Sequence, residues 1–132
     1  MTSFEIVFYT TSNNICPVKV FLLDTDIKMR AKISSLMEIL EEYGNLLREP
    51  YSKYLRDGIF ELRCQSGNNI SRILYFFYCD NKIIMTNGFI KKTNKTPKKE
   101  IELAKLRKAD YIERMMNKWV IYLHFSMNKW TI

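Results

Sequence analysis

Residues 70–78, Ile-Ser-Arg-Ile-Leu-Tyr-Phe-Phe-Tyr, constrain this chain more than any other stretch. From Ile73 to Tyr78 every side chain is apolar or aromatic. A strand with one wet face alternates; an unbroken apolar run belongs to a central strand buried on both faces. The flanking segments supply its neighbours. Residues 59–64 alternate, with Phe60, Leu62 and Cys64 on one face and Glu61 and Arg63 on the other. Residues 65–69 read as a turn, Asp80-Asn81 as a tight hairpin and residues 82–90 as a third strand. Loops this short join the three into an antiparallel meander.

Upstream, residues 4–9 are rich in aromatic and β-branched side chains and predict a first strand. Pro17 suits the first turn of a short helix over 17–23. Asp24 or Thr25 can cap a longer one, in which Ile33, Leu36, Met37, Leu40, Tyr43 and Leu47 share one face. Gly44 is a left-handed C-cap, Pro50 blocks continuation, and residues 48–58 read as a loop. Residues 100–116 are helix-like, with Ile101, Ala104, Ile112 and Met115 on one side. The expectation is one α+β domain over residues 1–116: a small twisted antiparallel sheet, two N-terminal helices and a C-terminal helix.

Residues 117–132 form a separate C-terminal extension of uncertain structure. Met-Asn-Lys-Trp at 116–119 recurs at 127–130, and a spacing of eleven, about three helical turns, places Trp119 and Trp130 on one stripe. A helical extension packed on the body or a partner, a disordered or strand-like tail, and a readthrough extension all fit. His124 lies there with no acid or metal partner nearby in sequence and reads as a structural or solvent histidine.

Composition excludes several classes. Cys16, Cys64 and Cys79 are odd in number and far apart, which suggests neither a disulfide framework nor a zinc site and fits a reducing cytoplasm. The first residues lack a basic region followed by an apolar stretch, so no signal peptide is read. The apolar run 119–127 is about half the ~20 residues a membrane span needs, and no membrane association is expected. A single histidine rules out chemistry built on several.

The net charge of +7 is unevenly spread. Residues 1–47 carry four basic and six acidic groups, whereas residues 91–108 carry eight basic and two acidic ones. One charged face and a polyanionic or acidic partner follow, or else a well-solvated lysine surface.

The ordered set Glu-Leu-Arg at 61–63, Arg-Ile-Leu-Tyr-Phe at 72–76 and Gly-Phe-Ile-Lys-Lys-Thr at 88–93 closely resembles the phage-derived, HigB-type branch of the RelE/ParE toxin superfamily, over about residues 4–114. The resemblance implies a twisted antiparallel sheet with helices on one side. It implies a cytoplasmic type II toxin that cleaves mRNA in the ribosomal decoding site without metal or cofactor. It also implies a cognate antitoxin, a helix-turn-helix HigA-like protein, through which alone operator DNA is bound. By family match Arg63 aligns with a strand arginine used in catalysis, and Lys91 or Lys92 with the basic residue after the third strand.

The residues themselves point the same way. RNA cleavage needs a 2′-hydroxyl deprotonated, a dianionic transition state stabilised and a 5′-oxygen protonated, and cations held beside the phosphate meet the second need. Arg63, Arg72, Lys91 and Lys92 sit at strand positions that converge at one end of a meander and are the candidate catalytic residues. Arg72 opens a buried strand, and either faces the phosphate or pairs with Glu61 to organise the sheet end. Glu61 itself reads as an orienting ion-pair partner. Lys53, Lys91, Lys92, Tyr51 and Tyr54 are candidates for proton transfer or base stacking. Lys53, Tyr54, Lys95, Lys98 and Lys99 are candidate RNA-binding residues, the last three through diffuse contact with ribosomal RNA. Two other readings stand beside the nuclease: a non-enzymatic ParE-like inhibitor of DNA gyrase, and a phage structural or RNA-binding module without chemistry.

Overall fold

A computed structural model describes residues 3–92 and 95–128. In chain order it contains β1 (Glu5–Phe8), α1 (Pro17–Asp24), α2 (Ile27–Tyr43), a 3₁₀ turn (Gly44–Leu46), β2 (Ser52–Arg56), β3 (Ile59–Ser66), β4 (Asn69–Tyr78), β5 (Lys82–Ile90) and α3 (Lys98–Asn128). The strands form one sheet in the order β1-β5-β4-β3-β2. Strands β2 to β5 pair as an antiparallel meander, and β1 joins β5 in parallel, so the α+β sheet is mixed.

As its composition requires, β4 has neighbours on both edges and is buried on both faces from Ser71 to Phe76. Its alternate side chains feed two cores. Ile73 and Tyr75 join Leu62, Met85 and the inner faces of α1 and α2, through Val18, Met29, Ile33 and Leu40. Leu74 and Phe76 join Ile59, Ile84 and Ala104 of α3. The helices therefore cover both faces of the sheet, not one. A strand with six consecutive buried positions leaves no face for water.

Three local expectations are corrected. Residues 48–58 contain β2, an edge strand in which only Ser52 is buried; it lacks the β-branched residues that would have marked it. The cap of α2 is Asp26, whose carboxylate accepts the Met29 N–H at 2.8 Å. Thr25 instead ends α1, its hydroxyl donating to the Leu22 carbonyl at 2.7 Å. The last helix does not stop at 116 but runs unbroken to Asn128. Trp130, half of the tryptophan stripe, lies outside the described residues. Gly44 has the expected positive φ, +54°, and the Phe4 ring stands where a Cβ would be.

Beneath β2, the Tyr75 and Ser52 hydroxyls are hydrogen-bonded in the core. Burial pushes the Tyr75 phenol up to about 12, against a modest lowering by Ser52. A phenol raised in the folded state stabilises it fully below the unfolded value of 10.0, and that stability is lost as pH rises from there through about 12. Two units correspond to about 2–3 kcal/mol. Urea midpoints measured with rising alkalinity should therefore fall more for the wild type than for Tyr75→Phe. Equal slopes would show that Tyr75 ionises freely in the folded protein.

Candidate active site

The side chains of β3 that point away from α2 are Ile59, Glu61 and Arg63, and they change along the strand from apolar to charged. Ile59 lies under α3 in the second core. Beyond the edge of that core the same face carries charge. Arg63 stands directly opposite Arg72 in the β3–β4 register. Two like charges placed so are unfavourable without a counter-charge between them. Glu61 provides it. Its Oε1 accepts from Arg63 Nε at 3.0 Å and lies 3.5 Å from Arg72 Nε. The second contact is an ion pair without a hydrogen bond, and Arg72 Nε is buried with no hydrogen-bond partner. The other carboxylate oxygen, Oε2, accepts the Thr96 hydroxyl. Arg72 is further held by its own strand, donating to the Ser71 carbonyl at 3.0 Å. Arg63 also reaches the exposed Glu49 at 3.7 Å.

Lys91 follows β5, its N–H bonded to the Ile70 carbonyl at 2.7 Å. Burial lowers its pKa from 10.5, and the positive charges of Arg72, Arg63 and Lys53 lower it further while Glu61 opposes them. Burial, joined by the charge of Arg63, also lowers Arg72, which stays charged at any ordinary pH. The sheet end thus holds three cations around one buried carboxylate, an excess of positive charge in a partly dry setting.

A cavity of about 250 Å³ opens here, lined by Lys53, Tyr54, Glu61, Arg63, Lys91, Lys95 and Thr96 among others. Of the sequence-chosen residues, Arg63, Lys91, Lys53, Tyr54 and Lys95 meet around it. Arg72 lies behind Glu61 and is not part of the lining. Lys92, Lys98 and Lys99 are exposed and do not line it. Tyr51 lines a second groove, with Leu36, Ile39, Cys64 and Arg63 itself, and its carbonyl accepts the Arg63 N–H at 2.8 Å. Tyr54 and Lys53 also border a cleft of about 650 Å³ beside Arg48 and Phe60, so they stand between two hollows. A cleft of about 730 Å³ at the start of α2 lacks this gathering of cations.

Sequence reasoning missed Thr96, Arg56 and Glu49. Thr96 reaches Glu61 only because α3 brings the end of its preceding loop over the sheet. Asn87 anchors that helix by donating to the carbonyl and Oε1 of Glu100, at 3.3 and 3.0 Å. Arg107 donates to the Thr86 carbonyl at 3.0 Å, and the Tyr9 hydroxyl donates to Asp110 at 2.6 Å. Arg56 lines the cavity but is held to Glu102 at 3.0 Å. His124 lies far along α3, exposed, beside Asn128. Among the described residues no group of three His, Cys, Asp or Glu could hold a metal, and no helix is long and apolar enough to cross a membrane.

A family model described as Phage derived protein Gp49-like (DUF891) matches residues 20–109, more than half of the chain and every residue around the cavity. No curated protein matches.

Proposed function

The chain belongs to the phage-derived Gp49-like family, and on that premise we propose that it is the toxin of a type II toxin–antitoxin pair, an endoribonuclease that cleaves mRNA on the ribosome. The observation that carries this reading is the triangle of Arg63, Arg72 and Lys91 around Glu61 beside an open cavity. Its charge suits one phosphodiester, and its strand mounting suits a site that must not move.

The scissile phosphate sits against Arg63. Arg72 adds charge from behind and, through Glu61, keeps Arg63 aimed. Neutral Lys91 accepts the 2′-hydroxyl proton, since its lowered pKa raises the fraction of free amine. The 2′-oxygen attacks phosphorus, the bond to the 5′-oxygen breaks, and the leaving 5′-oxygen takes a proton from solvent water, giving a 2′,3′-cyclic phosphate and a 5′-hydroxyl. Tyr54, exposed at the rim, stacks on a neighbouring base. Exposed Lys92, Lys98 and Lys99, with Lys95 at the cavity, contact RNA backbone. A HigA-like antitoxin neutralises the toxin and carries its contact with operator DNA.

Mapping transcript ends after induction tests this. The wild type should generate new 5′-hydroxyl ends within translated messages, and Arg63→Ala should reduce them roughly 10²–10³-fold, as loss of one transition-state donor does. Growth arrest without new ends, together with trapped DNA gyrase, would instead support the ParE-like reading. Arg63→Ala cutting at the wild-type rate would remove this site from consideration.

A further inference from the structure

The far half of α3 serves neither core. The last of its residues held to the body is Arg114, which donates to the Thr10 carbonyl at 2.6 Å and lies over the Tyr9 ring. From Arg114 to Asn128 the helix extends about 21 Å at 1.5 Å per residue. Met116, Trp119, Val120 and Leu123 lie at i, i+3, i+4 and i+7, one stripe on one side, and are between 52 % and 62 % exposed. Tyr122, its ring edge-on to Trp119 at 5.8 Å, widens the stripe. Asn117, His124 and Asn128 share a different, polar side. Apolar stripes of this kind mark contact surfaces, not solvated ones.

The geometry points to a second copy of this chain as the occupant: two α3 extensions pair antiparallel, stripe to stripe, in a symmetric dimer. Charge selects this partner over others. Residues 116–128 carry a single charged side chain, Lys118. An acidic protein would find there only Lys118, on the side of the helix away from the stripe. A lipid-surface helix needs a Lys- or Arg-rich polar face, and this polar face is neutral. An identical stripe is neutral too and meets its copy isologously. The antiparallel arrangement sets the two bodies, each part of a chain of net charge +7, at opposite ends of the pair. Their separation then exceeds the ~8 Å over which charge is felt at physiological salt. Trp119 and Tyr122 alone supply roughly a quarter to a third of the ~800 Å² per partner of a stable interface.

Sedimentation equilibrium of the full chain tests the pairing. A monomer–dimer equilibrium in the micromolar range is expected. Trp119→Glu and Leu123→Glu should each weaken it roughly tenfold or more. Phe125→Glu removes a still more exposed ring from the opposite side of the helix and should leave it unchanged, and circular dichroism checks that all variants fold. A chain that stays monomeric, or a dimer that survives both stripe substitutions, overturns the inference. So does a dimer weakened equally by Phe125→Glu, which would indicate unspecific adhesion. A monomer that binds phosphatidylcholine–phosphatidylserine vesicles through Trp119 would assign the stripe to lipid and overturn it as well.

Discussion

Glu61→Ala is expected to lower the stability of the fold by about 3–5 kcal/mol, the usual result of stripping the counter-charge from a buried ionic group. Its carboxylate side chain is only 1 % exposed, and Arg72, at 10 %, is paired with no other acid among the described residues. Without Glu61 the two guanidiniums face each other across the β3–β4 register, one of them buried. Against a total of about 5–15 kcal/mol for a domain, that loss is large. Urea titration of both variants would show it as a lower midpoint. Glu61→Gln keeps the volume and removes the charge, and should recover only a minor part. A shift below about 1 kcal/mol would mean that the cations assemble without the carboxylate, and Glu61 would lose its role in aiming Arg63.

Lys91→Arg should reduce cleavage about 10²-fold or more while leaving stability and the fixed charge at the site nearly intact. The argument is one of protonation. Burial and neighbouring cations hold the Lys91 amine below its ordinary 10.5, so the free base becomes more abundant as pH rises toward that lowered value. Single-turnover cleavage on programmed ribosomes should accelerate with pH in the wild type. It should be slow and flat in Lys91→Arg, whose guanidinium never yields its proton. An arginine variant with the wild-type rate and slope would assign the proton transfer to another group and leave Lys91 as a phosphate contact only.

The two effects read the same cluster through different observables, and their independence matters. Glu61 acts on the ground state of the folded chain, Lys91 on a single reacting proton. A site assembled as described loses stability with the first and rate with the second.

Much of this architecture was legible in the chain alone. Apolar density from Ile73 to Tyr78 demanded a central strand, and period-two alternation put Glu61 and Arg63 on one face, because each signal is local and repeats every turn or pleat. Strand β2 was not legible, since an edge strand is made by its partner's hydrogen bonds and not by its own side chains. Arg63, Arg72 and Lys91 could be chosen as cations near strand ends, but Lys92, one residue further on, could not be told from Lys91 until β5 had a register. Placing Thr96 on Glu61 required α3 to cross the sheet, a contact over 35 residues of chain. Apart from β2 and the end of α3, the sequence by itself determined which segments are strands or helices and which faces are apolar, because those depend on neighbours a few residues apart. Only tertiary structure decided which charges share a carboxylate and which lie in solvent, because that depends on strand register and helix docking, set by packing across the whole chain.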